Sequence, residues 1–506
     1  MTTITTPWIF AVCTIIGLFN YIDRGIIPGS TNEFNSFIVR TTGTSQPDVC
    51  LGLLQSSFVV GFLIGGIIFS NFIHRYERFT LTFIGCTIWM FAVLFSGVAH
   101  YTESYIFLLF CRIFSGFGEA SLQCTIPPWI QHHAGNDKKG IWLAIFYTTV
   151  PVGGALGYAY SSMVSESYGW QYAFFGEALM AFPFIVCLFL IGHYAPDRSN
   201  ILTSDSGHIQ LTHVGIESSH NKETGKEMFE DPMYSHPAKH PSLISEFKEV
   251  IKRPIYVCFI FGLAAEMATM IGLSTFGSAF VMGLGYFDYE SQASTIFGIL
   301  VSLAGVCGTP LGGLLIDGIV QYKKKPLALQ ENRGGNDEDG HEDAVTENQP
   351  EPVDEQTLLE VIGSLTYWAN FLATLIFCLL YYVEDRFSFM ALITFGCFLV
   401  FTTYTGINMA TMLSVPLKHQ SFALALGSTV GHLFGDVPSP ILTGWLKDSL
   451  APGCVASQEN EQNVAASDSC RADGEGLRMT MFIVSVWMYW CVVLFGIAWH
   501  LIKTTR

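Results

Sequence analysis

The chain has 506 residues, half of them hydrophobic and only 13% charged, with a mean hydropathy of +0.40. Soluble domains carry roughly a quarter charged residues, so this composition excludes a soluble globular protein and requires a membrane one. The formal charge of −17 excludes a basic nucleic-acid binder; most of it lies in two polar loops and describes those loops, not a site.

Apolar runs of spanning length, about 20 residues for a helix crossing a bilayer, recur along the whole chain. Twelve are predicted: 8–28, 51–73, 79–99, 105–131, 141–165, 170–193, 254–283, 291–320, 358–383, 387–413, 417–446 and 479–502. The first carries no charged leader and no small-residue cleavage site, and is read as a retained helix and not as a signal peptide. Within it, "GLFNYIDRGIIPG" sets Asp23 beside Arg24, about 22 Å along a helix rising ~1.5 Å per residue. That depth is inside a hydrocarbon core about 30 Å thick, where one charge costs at least ~2.5 kcal/mol.

The fourth run, in "FCRIFSGFGEASLQC", holds Arg112 and Glu119. Two helical turns separate them, so both face one side about 10 Å apart. Gly116 and Gly118 between them permit a close helix approach. Glu177 lies in the first third of the sixth run and Glu266 in the seventh. In the eleventh, "GSTVGHLFGDVPSPIL" places His432 and Asp436 four residues apart on one face, followed by two helix-loosening prolines.

Two polar stretches divide the chain. Residues 194–253 form a linker between six helices (1–193) and six more (254–506), and its end, "LISEFKEVIKRP", is patterned as an amphipathic surface helix near 242–252. Residues 326–357 are acidic, almost without apolar side chains, and expected to be disordered. His341 there is read as part of a solvated charge run; no metal site and no cofactor is expected. In the loop 448–478, Cys454 and Cys470 are either bridged or two free thiols.

Lys and Arg gather in the loops on one side (Arg75, Arg78, Lys138, Lys139, Lys252, Arg253, Lys323, Lys324, Lys325 and Lys503 among them). Arg40, Arg386, Lys447, Arg471 and Arg478 fall on the other. The positive-inside rule then makes both termini cytosolic. Six helices, a long linker and six more is the layout of a transporter whose halves rock about a midplane site. HExxH, Walker, GxSxG and paired CxxC patterns are missing, which argues against an enzyme.

The intramembrane charges have two readings. Asp23 and Arg24 point about 100° apart, so Asp23–Arg112 and Arg24–Glu119 could be fixed pairs that only hold the bundle, and His432 a satisfied core histidine. As a set, acids, bases and a histidine in both halves fit an ion-coupled pathway better. A histidine titrates near physiological pH, and burial can bring a carboxyl into the same range. Glu177 and Glu266 are the weaker members of this proton-coupling set.

"NYIDR" in the first run, "CRIFSGFGEAS" in the fourth, "IFYTTVPVGGALGY" in the fifth and "GHLFGDVPSP" in the eleventh together resemble the Spinster branch of the major facilitator superfamily. The resemblance covers the membrane part of both halves and neither polar stretch. It implies an all-α fold of twelve transmembrane helices in two six-helix halves. It also implies transport of lysophospholipids or sphingoid lipids, often proton-linked, in endolysosomal or plasma membranes. The matched site residues are Arg24, Arg112 and His432 for the headgroup, and Asp23, Glu119, His432 and Asp436 for the proton. The loop after the second run departs from the family pattern, since "SNFIHRYER" has His74 where an acid latches the loop. Arg75 and Arg78 remain, and Asp317 keeps the matching acid of the second half.

The expected function is therefore a secondary transporter of single-chain lipids with an anionic headgroup, acting as a monomer in the bilayer with lipid and protons as partners and no nucleic acid. The alternatives are a proton-coupled carrier of a small polar organic anion or sugar, and a non-transporting lipid sensor.

Overall fold

The computed structural model describes residues 5–73, 75–134, 139–195, 243–334, 355–455 and 467–505. The helices are α1 (Thr6–Gly29), α2 (Thr31–Thr42), α3 (Pro47–Phe72), α4 (Arg78–Val98), α5 (Tyr105–His133), α6 (Lys139–Tyr168) and α7 (Trp170–Tyr194). They are followed by α8 (Leu243–Ile251), α9 (Pro254–Gly283), α10 (Glu290–Gly334), α11 (Glu355–Leu379), α12 (Arg386–Leu413), α13 (Gln420–Gly431) and α14 (Pro438–Leu450), then α15 (Asp468–Ala472), α16 (Gly474–Trp487) and α17 (Tyr489–Thr504).

Local sequence sets the helix ends. Side chains of Glu77, Ser104 and Asp385 accept hydrogen bonds from the first-turn amides of α4, α5 and α12, which satisfies donors that have no partner inside the helix. Gly43, at φ 65°, ends α2 in the left-handed conformation that glycine adopts without strain.

Among the described residues, eleven helical stretches are long and apolar enough to cross a membrane, α16 and α17 together making one of them. The run expected at 417–446 differs. It is two helices of 12 and 13 residues around a five-residue π-helical turn, His432–Asp436. Pro438 and Pro440 cannot donate ladder hydrogen bonds, so the chain reforms its helix only from Pro438, a first-turn position that proline tolerates.

Other boundaries shift too. α10 runs on to Gly334, nine residues into the stretch expected to be disordered, because "LALQENR" is built of strong helix formers. The rest of that insert, 335–354, and residues 196–242 of the linker lie outside the described residues. Helices α14 and α16 take residues 448–450 and 474–478 from the expected loop. What remains is pinned by a disulfide between Cys454 and Cys470. The amphipathic stretch is helix α8. Its Val250 packs against Tyr256, Ile260, Val415 and Ala423, and Glu249 meets His419 at 2.6 Å, so α8 is docked on the second half, while Phe247 stays exposed.

Each half packs its helices through small residues. A Cβ on Gly61 of α3 would overlap the backbone of Ile113 on α5, and one on Gly116 would overlap Phe58. The close approach read from Gly116 and Gly118 is thus the α3–α5 and α4–α5 contact. The two halves meet through α3 against α14 and α6 against α10. The termini, the α3–α4 turn and the α12–α13 connection share one side, called here the terminal side. Residues 30–47, 284–290, 450–455 and 467–474 share the far side.

Two outcomes check this packing. Gly61→Leu should lower the melting temperature in detergent by the equivalent of about 1–3 kcal/mol or more. Gly66→Leu, whose added Cβ meets nothing within 4 Å, should leave it near wild type. Non-reducing mass spectrometry should recover the Cys454–Cys470 linked peptide.

Candidate functional site

Four expected residues come together between α1 and α5. Asp23 and Arg24 project from adjacent positions of α1 about 100° apart, and each finds its partner two turns apart on α5. Arg112 Nη1 lies 2.5 Å from Asp23 Oδ1, with both side chains fully buried. Ser115 Oγ donates to Asp23 Oδ2 at 2.5 Å, and Trp89 Nε1 of α4 at 3.3 Å. The Asp23 carboxylate of α1 is thereby held by two further helices, α4 and α5.

The second pair differs in character. Arg24 Nη2 and Nε both donate to Glu119 Oε1, at 2.5 and 2.9 Å. Glu119 is fully buried, but Arg24 keeps 28% of its side chain accessible. Aromatic rings surround the guanidinium: Tyr21, Phe58 and Phe62 have centroids 5.0, 5.0 and 5.1 Å from its central carbon. Phe58 also lies 4.8 Å from Arg112, so one ring serves both cations. Such contacts contribute about 0.5–2 kcal/mol each. Glu119 Oε2 has no hydrogen-bond partner among the described residues.

The second half brings His432 and Asp436 to the same region. His432 Nδ1 lies 2.7 Å from Asp436 Oδ2, within the π-helical turn. The His432 ring packs edge-on against Phe62 at 5.7 Å. Phe62 therefore touches Arg24 of the first half and His432 of the second. Arg24 and His432, 28% and 18% accessible, are the most exposed polar side chains of this set.

Arg112, expected at the headgroup, is fully buried here with its Nη1 on Asp23. Glu177 is fully buried in the field of Asp23, Arg112 and Glu119, yet neither carboxylate oxygen meets hydrogen-bond geometry with a described residue. Glu266 stands apart in the second half, where Thr403 Oγ1 donates to it at 3.5 Å. Of the loop residues, Arg75 and Asp317 are exposed and Arg78 is buried; His74 lies outside the described residues. A groove of about 760 Å³ between α10 and α12 contains none of the expected site residues.

Sequence reading missed Trp89, Ser115, Tyr21, Phe58 and Phe62. Nothing in their spacing separates them from lipid-facing or core side chains; only the neighbourhood of Asp23 and Arg24 marks them.

Removing one partner of a buried pair leaves an uncompensated charge, at about 3–5 kcal/mol. Arg112→Met should therefore destabilise the protein strongly, and Asp23→Asn combined with Arg112→Met should recover much of the loss in the same thermal-shift assay.

The sequence model of the Major Facilitator Superfamily matches residues 6–329, and that of the Organic Anion Transporter Polypeptide (OATP) family matches residues 384–473. The chain is 29% identical over 461 residues to "Probable sphingolipid transporter spinster homolog 3" of Arabidopsis thaliana, covering 88% of this chain and 79% of that one. It is 25% identical to "Protein spinster homolog 3" of Danio rerio, covering 87% and 76%. Among solved structures, a bacterial homolog of the human lysosomal transporter Spinster, inward-facing and unoccupied, superimposes with a TM-score of 0.71 at 17% identity, over 99% of this chain and 98% of that one. A D-xylose–proton symporter aligns with a TM-score of 0.57 at 15% identity, over 95% and 96%. The chain belongs to the Major Facilitator Superfamily of transporters, where it stands with the spinster homologs.

Proposed function

We propose that this transporter moves single-chain lipids with an anionic headgroup, of lysophospholipid or sphingoid type, by alternating access linked to protons. The observation that carries the reading is the Arg24–Glu119 pair. An accessible guanidinium at mid-membrane depth is held by a buried carboxylate that a proton can neutralise. Protonation of Glu119 weakens its hold on Arg24, and a phosphate or carboxylate headgroup then takes the planar fork by two parallel hydrogen bonds. His432, on the opposite half, completes the headgroup contact, with Asp436 fixing its ring. Asp23 is the second proton candidate, shielded by Arg112; Glu177 and Glu266 rank behind it. That the Arabidopsis thaliana relatives are named probable sphingolipid transporters supports the lipid class.

The excess of Lys and Arg on the terminal side supports cytosolic termini, with 194–253 as the linker between two six-helix halves. An endolysosomal membrane is the proposed location, with the plasma membrane as the alternative. The partial match to organic anion transporters favours one competing reading, in which Arg24 and His432 receive a small organic anion.

Proteoliposome assays with a radiolabelled lysophospholipid, run beside a small organic anion, test this. Glu119→Gln mimics the protonated state, so it should keep substrate counterflow and lose accumulation driven by a pH gradient. His432→Ala should reduce the pH dependence less. Arg24→Lys should weaken binding about tenfold or more, because the charge stays while the fork and its stacking are lost. Full pH-driven accumulation by Glu119→Gln would transfer the coupling role to Asp23. Flux of the organic anion alone would replace the lipid reading, and binding without flux would make the protein a sensor.

A further inference from the structure

A second buried charge cluster lies on the far side and joins the two halves. Lys447, in the last turn of α14, places Nζ 2.5 Å from Oδ2 of Asp48, in the first turn of α3. Their side chains are 3% and 0% accessible. Asn35 Nδ2 of α2 donates to the other Asp48 oxygen at 2.7 Å. Next to Lys447, the Asp448 carboxylate accepts from the backbone amides of Asp48 and Val49 at 3.4 and 3.1 Å. It thus caps the N-terminus of a helix in the opposite half. The arrangement occurs twice: Glu290, at the start of α10, accepts from Thr31 Oγ1 at 3.1 Å and Asn32 N at 3.2 Å, capping α2.

Each charge sits where a helix favours it. Asp48 lies at a helix N-terminus and Lys447 at a C-terminus, and the two capping carboxylates face unsatisfied amides. The backbones touch here, because a Cβ on Gly444 would overlap Asp48 and one on Gly52 would overlap Pro440. Ser56 Oγ, one turn deeper, donates to Val437 O across the same seam at 2.5 Å. Nothing separates the halves at this level, so the charges are hydrated only if α3 and α14 part.

We propose that Lys447, Asp48, Asp448 and Glu290 form the far-side gate of the transporter, a set of cross-half ion pairs and helix caps that holds this side shut and must break and hydrate each time the site opens to it. The inference rests on the alternating-access part of the reading above, but its readout needs neither substrate identity nor protons. Leaving Asp48 buried without its cation destabilises the shut state selectively, because the open state supplies water in its place.

The test is a distance measurement by double electron–electron resonance across the far side. Spin labels go on Ser45→Cys and Glu475→Cys in the full chain, with the exposed Cys187 and Cys307 replaced by serine. The parent should show mainly a short distance. Lys447→Met should raise the long-distance fraction relative to the short one about tenfold or more. Lys447→Arg should restore the short distance, and Asp48→Asn with Lys447→Met should return most of the way, since Asp48 no longer carries a charge and only Asp448, held by backbone amides, remains. Glu290→Gln should give a smaller shift in the same direction, and it carries the test if Lys447→Met does not fold. An unchanged distribution in a folded Lys447→Met or Glu290→Gln protein overturns the gate. If added lysophospholipid still lengthens the distance in those variants, alternating access stands and only the gate assignment falls. If no variant and no lipid produces the long distance, both fall.

Discussion

The cost of a charge in hydrocarbon governs this structure. Asp23 and Arg24 follow each other on one membrane helix, and neither can remain there unpaired without several kcal/mol of penalty. Because neighbours on a helix diverge by about 100°, they cannot neutralise each other through a shared contact. Each needs a partner from another element, and α5 supplies both, Arg112 for Asp23 and Glu119 for Arg24. The four charges sum to zero. The α1–α5 register is fixed by that requirement, since a shift of one residue on either helix would unmatch both pairs.

The two pairs are not equivalent. Asp23 receives Arg112, Ser115 and Trp89 and is fully buried. Arg24 spends two donors on a single carboxylate oxygen, leaves the other oxygen of Glu119 without a partner, and remains partly accessible. A charge-assisted bond that can be exchanged for an equivalent one is the requirement for a binding site that must also let go. The fully sealed pair suits the anchor and the half-open one the site. In the proposed exchange of partners, the aromatic faces around Arg24 keep its guanidinium stabilised.

Much of this was legible in the sequence. Apolar run lengths located the helices, because hydrocarbon thickness leaves few alternatives. The two opposite-charge pairings were one of the two readings that the spacing allowed, since seven residues on α5 bring both ions to one face. The broken helix was only half visible: Pro438 and Pro440 signalled loosening, but the π-helical turn at His432–Asp436 depends on packing against α9, where Gly435 lies against the backbone of Ala264. The accessibility difference between Arg24 and Arg112 was illegible, because both are equally polar letters in equally apolar runs. Lys447 and Asp48 escaped notice for a related reason. They stand at the ends of spans, where a charge ordinarily reaches water, and only the meeting of α3 with α14 buries them.

The break in the eleventh run sets the two proposed functions at opposite ends of α14. Its π-helical turn carries His432 and Asp436 beside Phe62 and Arg24. From Pro438 the chain is α14, a straight helix whose last turn carries Lys447 and Asp448. Eleven residues separate Asp436 from Lys447, about 16 Å at the helical rise, close to half the hydrocarbon thickness. The proposed headgroup contact thus lies near mid-membrane at one end of α14, and the proposed gate at the far surface at the other. Ser56 grips the first turn between them through Val437 O. An unbroken helix would have to tilt as a whole to part from α3, dragging His432 with it. The π-helical turn interrupts the helix between His432 and α14, so the opening proposed for the far side does not require the His432 ring to move with α14.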